Sequence, residues 1–82
     1  MSTWISYCAT YTCGDSEYKV IVSINKRVVE ALNCDDIERR DRERGVVCAQ
    51  IRLLLTLKEL SGWQDAPVPW DCLKFEELVP AA

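Results

Sequence analysis

The stretch from Asp35 to Leu60, DDIERRDRERGVVCAQIRLLLTLKEL, runs for 26 residues without a proline and with a single glycine. Its first ten residues hold four Arg and five acids. From Val46 onward it is mostly hydrocarbon. Few backbones suit such a run other than one long helix. Opposite charges four apart (Asp36 with Arg40, Glu38 with Arg42, Arg39 with Glu43) support the solvated half by about 0.2–0.5 kcal/mol each. Asn33 or Asp35 is a candidate N-cap. Asp36 and Glu38 then lie in the first turn, where carboxylates complement the helix dipole. Ser61-Gly62 supplies a stop. The spacing predicts a helix of about seven turns from Asp36 to Leu60, inside a helical unit spanning 35–61, with Gly45 costing about 1 kcal/mol relative to Ala.

A helix of this length must be covered by the rest of an 82-residue chain. At about 100° per residue, Val46, Ala49, Leu53, Leu57 and Leu60 form one ridge. Val47, Ile51 and Leu54 form another, with Cys48 and Leu55 beyond. Arg52, Thr56 and Glu59 mark a narrow wet strip. A helix lying on one face of a sheet needs an apolar stripe of about 100° or slightly more. This arc is wider, so the tail, a second subunit or a partner protein has to cover the excess. The charged half is expected to project beyond the sheet into water, with cover beginning at Gly45.

The sheet is expected upstream. Ile5, Tyr7, Ala9 and Tyr11 alternate with Trp4, Ser6, Cys8 and Thr10, the period of a strand. Gly14-Asp15 is a turn signal, since Gly tolerates positive φ and Asp bonds its own backbone. Glu17 to Ile24 follows as a second strand with Tyr18, Val20, Val22 and Ile24 on one face. Asn25-Lys26 predicts a second tight turn and Arg27 to Leu32 a third strand, although Val28, Val29 and Leu32 also fit a short helix. In the tail, Pro67 and Pro69 keep Ala66 to Pro69 extended, and Trp70 to Leu78 fits a short terminal helix. The predicted fold class is α+β, in one small domain over 1–82: a three-stranded antiparallel β-meander over 1–32, the long helix, and a Pro-containing tail over 62–82.

Chemistry is limited by what the chain lacks. It contains no His, which excludes Ser-His and Cys-His nucleophile systems. Its glycines, Gly14, Gly45 and Gly62, are isolated and build no phosphate loop. Asp35-Asp36 and Glu76-Glu77 are sequence neighbours, which in a helix point about 100° apart and do not converge as an acid/base dyad. Cys8, Cys13, Cys34, Cys48 and Cys72 are an odd number, read as free thiols of a reducing compartment. Cys34, before the helix, is the best placed for reactivity. Cys8 and Cys13 stand near zinc-pair spacing, but no second close pair follows. The expectation is no enzyme, no cofactor and no metal.

The net charge of −3 disfavours a general nucleic-acid binder, which needs a basic face. MSTWISYC lacks the basic and apolar regions of a signal peptide, so the expected location is cytoplasmic, with no membrane contact. In size and composition the chain resembles compact inhibitors encoded by phages and mobile elements, anti-CRISPR proteins among them. That resemblance implies a non-enzymatic module that occludes a surface of a larger protein or nucleoprotein complex. The first contact surface expected is the charged half-helix: Asp36, Glu38, Arg39, Arg40, Arg42, Glu43 and Arg44. Trp63 and Trp70, beside the stiff tail, are a second. A homodimer through 46–60 would use the apolar excess. The alternatives are a dimeric nucleic-acid-linked regulator pooling two Arg clusters, and a thiol- or zinc-stabilised domain.

Overall fold

The computed structural model describes residues 3–59 and 68–78. Three antiparallel strands and one long helix make the fold α+β. In chain order the elements are β1 (Trp4–Cys13), β2 (Ser16–Asn25), α1 (Lys26–Ala31), α2 (Ile37–Glu59), a 3-10 turn (Trp70–Cys72) and β3 (Leu73–Glu77). The β1–β2 hairpin closes between the paired Cys13 and Ser16. Gly14 at the turn has φ of 60°, a conformation that costs an L side chain strain. Alternation places Ala9 and Tyr11 of β1, with Val20, Val22 and Ile24 of β2, on the inner face, all buried.

The predicted third strand, Arg27 to Leu32, is not a strand. Asn25 Oδ1 accepts a hydrogen bond from Arg27 N at 2.9 Å, so Asn25 caps a helix instead of making a tight turn. α1 follows, with Val28 and Val29 packed against the core and Ala31 and Leu32 buried. The short helix and its cap thus bury Ala31 and Leu32 and partly bury Val28 and Val29, and that packing overrides the β-propensity of Val-Val. The third strand comes from the tail, where a helix over Trp70 to Leu78 was expected. Only Trp70–Cys72 is helical. Leu73 and Phe75 alternate with Lys74 and Glu76, and they pair with Tyr11 and Ala9 across the second edge of β1. Without β3, that edge would leave backbone groups unpaired. The sheet order is therefore β2-β1-β3, with the first strand in the middle, and not a sequential meander.

α2 starts one residue after Asp36, which is the actual cap. Its Oδ1 accepts from Arg39 N at 3.2 Å, and its carbonyl from Arg40 N at 2.9 Å. The expected i,i+4 ion pairs are not formed. The ion pairs among the described residues join sequence neighbours, Arg40 with Asp41 (3.5 Å) and Arg42 with Glu43 (4.0 Å). Of the two apolar ridges, Val47, Ile51 and Leu55 face the sheet and are at most 1 % exposed. They share the core with Ala9, Tyr11, Val20, Val22, Ile24, Leu32 and Val68. The described residues of the other ridge, Val46, Ala49, Leu53 and Leu57, are exposed. Lys58, near the end of α2, donates from Nζ to the Lys19 carbonyl of β2 at 2.6 Å. No described helix is both long and apolar enough to cross a membrane.

Two substitutions on α2 check this packing. A Cβ at Gly45 meets nothing within 4 Å, so Gly45→Ala is expected to stabilise by about 0.5–1 kcal/mol through helix propensity. Ile51→Ala removes a fully buried side chain and is expected to cost about 2–5 kcal/mol. Urea denaturation followed by circular dichroism measures both.

Candidate interaction surface

The outward face of α2 is built by its own periodicity. Relative to Val46, the positions 39, 42, 49, 53 and 57 all fall within about 60°, while Val47, Ile51 and Leu55 fall about 100–180° away. The outward stripe therefore reads Arg39, Arg42, Val46, Ala49, Leu53, Leu57, and every one of these residues is exposed. Val46, Leu53 and Leu57 are 56 %, 59 % and 73 % exposed. Isolated surface leucines are ordinary; three large apolar residues in line on one helix face, continuous with two guanidinium groups, are a patch.

The charged residues singled out in the sequence separate into two groups. Glu38, Arg39 and Arg42 are exposed, with Glu43 half-buried beside Arg42. Asp36 is occupied in capping the helix. Arg40 and Arg44 lie on the other side, half-buried. Of the two tryptophans, Trp70 packs against the core and is described below. Trp63 lies outside the described residues, as do the predicted helix end at Leu60 and the stop at Ser61-Gly62.

Arg44 ties the structure together. Its Nε donates to the Leu32 carbonyl at 2.8 Å, and Nη2 donates to Asn33 Oδ1 at 3.1 Å. Its guanidinium carbon lies 4.9 Å from the centre of the Trp70 ring. One side chain of α2 thus satisfies a carbonyl at the C-terminal end of α1 and stacks on the 3-10 turn. Trp70 in turn packs on Phe75 of β3 at 5.2 Å, and Phe75 meets Tyr7 of β1 edge-on at 6.1 Å. This role was readable in principle. Arg44, Ile51 and Leu55 stand at i, i+7 and i+11, so Arg44 belongs to the buried ridge.

The thiols do not assemble. Cys8 and Cys13 are five residues apart on β1, which puts them on opposite faces and about 17 Å from each other. Cys34 donates from Sγ to the Asp36 carbonyl at 3.4 Å. The Cys48 thiol is pushed above its ordinary pKa by burial, partly opposed by Arg44. Cys13 and Cys72 are exposed. Among the described residues no three His, Cys, Asp or Glu side chains group as metal ligands.

Replacing Arg44 by Lys keeps the charge but loses the fork geometry. The expected cost is about 1–2 kcal/mol by urea denaturation, with the Trp70 contribution to fluorescence changed. The phenols of Tyr7 and Tyr11 titrate above their ordinary value, chiefly through burial, with Glu77 adding to the shift at Tyr7 and the Cys13 side chain at Tyr11. The folded state therefore holds these protons more tightly than the unfolded chain. Stability from this source is complete below about pH 10 and is lost as pH rises through the folded values. Thermal melts at stepped alkaline pH are expected to show that decline, and Tyr7→Phe to reduce it. No protein-family model, no curated protein and no solved structure matches this chain, so the reading of this surface rests on its own residues.

Proposed function

We propose that this chain is a non-enzymatic, cytoplasmic binding module. It docks on a larger protein or nucleoprotein assembly and occludes a surface of it, as compact phage-type inhibitors do. The observation that carries the reading is the outward stripe of α2, an apolar ridge continuing into Arg39 and Arg42 on the face opposite the core. Interface centres favour apolar groups and Arg, and arginine forks onto carboxylates. The contact set is therefore Glu38, Arg39, Arg42 and Glu43, with the apolar ridge beside it.

Support for a binding role also comes from chemistry. A chain with no His lacks the usual general base near neutral pH. The half-buried Cys48 favours its thiol form. A nucleic-acid reading is weaker, because Arg44 turns back toward the protein, Arg40 is half-buried beside Asp41, and Glu38 and Glu43 accompany the two arginines left on the surface. No basic stripe results.

The test is affinity capture from nuclease-treated extract of the native host with three tagged forms. These are the wild type, the double variant Arg39→Glu/Arg42→Glu, and the control Glu30→Arg on the exposed side of α1. A stoichiometric partner is expected with wild type and control, weakened about tenfold or more by the double reversal. Equal recovery by the folded double variant would remove the assignment.

A further inference from the structure

We propose that Cys13 and Cys72 are a redox pair: oxidised by a low-molecular-weight disulfide such as oxidised glutathione, they join covalently and lock β3 onto the edge of β1. The inference goes beyond the docking role, since neither cysteine belongs to the contact set on α2.

The five thiols build no common centre, but the sheet brings two of them to the same end. Cys13 is the last residue of β1. Cys72 is the last residue of the 3-10 turn, directly before β3. The β1–β3 ladder ends with Tyr11 opposite Leu73. One step further in that antiparallel register sets Cys72 across from Thr12, the neighbour of Cys13. The turn itself is in contact with β1. With strands about 4.8 Å apart and a rise of about 3.4 Å per residue, this register puts the Cα atoms of Cys13 and Cys72 about 6 Å from each other. Disulfides span about 4.4–6.8 Å between Cα atoms.

Direction agrees with distance. Cys13 stands two residues from Tyr11 and so shares its face of the sheet, the inner one. In an unbroken strand Cys72 would point the other way, with Lys74 and Glu76. It lies instead in the 3-10 turn, where its own amide bonds to the Pro69 carbonyl and that of Leu73 to the Trp70 carbonyl. The strand alternation therefore does not extend to it. The Tyr11 phenol registers both side chains: its hydroxyl is hydrogen-bonded to Cys13, and the Cys72 thiol also opposes its ionisation. Both thiols thus act on one inner-face hydroxyl. Both cysteines are nonetheless exposed, so a dissolved oxidant can reach them.

The chemistry is thiol–disulfide exchange. The thiolate of one cysteine attacks a sulfur of oxidised glutathione and expels one glutathione thiolate, leaving a mixed disulfide. The second cysteine attacks the protein sulfur of that bond, forms the Cys13–Cys72 bond and expels the other glutathione thiolate. The two thiol protons pass through solvent to the two expelled thiolates. The chain loses two electrons, and the oxidant gains them and ends as two glutathione thiols. In a reducing compartment the pair stays open, and an oxidising shift closes it. The loop so closed holds about 60 residues, with β2, α1 and α2 inside it, and constraining a loop of that length stabilises the fold. It also makes permanent the cover that β3 gives to the β1 edge.

The test uses the untagged full chain, reduced and then equilibrated in about 1 mM oxidised and about 1 mM reduced glutathione. Intact mass and fragment mapping of the linked peptides are read together with thermal melts and amide exchange. A monomer lighter by two hydrogens is expected, with the bond mapped between Cys13 and Cys72. Its Tm is expected to rise by about 10 °C or more, and the amides of β3 to exchange about tenfold more slowly. Cys8→Ser is expected to behave as the wild type. Cys13→Ser and Cys72→Ser, at exposed positions, are expected to stop at the mixed disulfide. A bond mapped to any other pair, a linked dimer, glutathione adducts alone, a chain that keeps its thiols, or a linked chain whose β3 amides exchange as before would each overturn the proposal. The mapping is made on the wild type, so a variant that fails to fold leaves the result decided.

Discussion

The ridge of Val47, Ile51 and Leu55 is the contact on which the rest of the fold depends. These three side chains are essentially without solvent access and close the inner face of a sheet that, among the described residues, no other long helix covers. Burying each contributes roughly 1.5–3 kcal/mol, a large share for a domain whose net stability is of order 5 kcal/mol. Because this ridge faces inward, the rotation of α2 is fixed, and the ridge of Val46, Leu53 and Leu57 must face out. The outward patch is thus a consequence of the core. A helix with apolar residues on two sides can satisfy only one of them against a single sheet.

Arg44 converts that packing into a specific arrangement. A purely apolar ridge tolerates sliding of the helix along the sheet. A guanidinium with two of its three nitrogens committed to Leu32 and Asn33 and its carbon 4.9 Å from the centre of the Trp70 ring does not. The same side chain also anchors the returning tail, so β3 reaches the β1 edge in the register Ala9 with Phe75. The half-helix that reads in sequence as one charged block is therefore divided: Arg44 builds the interior architecture, and Arg39 and Arg42 remain at the surface.

What could be read from sequence alone was what depends on short-range periodicity. The alternation in β1 and β2, the Gly14 turn and the helical run of α2 over Ile37–Glu59 are local properties, and the structure has them at those positions. The identity of the third strand was not legible, because it depends on which segment reaches the free edge of β1. Arg27–Leu32 and Leu73–Glu77 both have plausible strand composition. The choice was made by Asn25, whose side chain was available to cap a helix, and by the strict alternation of LKFEE. The wheel also showed two ridges without showing which one the sheet would take. That outcome depends on the placement of α1 and Trp70, which no local pattern encodes. The division of the arginines was partly legible, since Arg44 lies in line with Ile51 and Leu55.

The placement of β2 has one further consequence. With β1 in the centre, β2 is an outer strand ten residues long, and the exposed Ile21 adds apolar surface to it. Such an edge is a template on which another chain's strand can add. Lys58 places an ammonium group on the outward carbonyl of Lys19, near the middle of that edge. An incoming strand would have to displace a charged donor before it could pair there. The helix that closes the core therefore also places a charged donor on the β2 edge, where an added strand would have to pair.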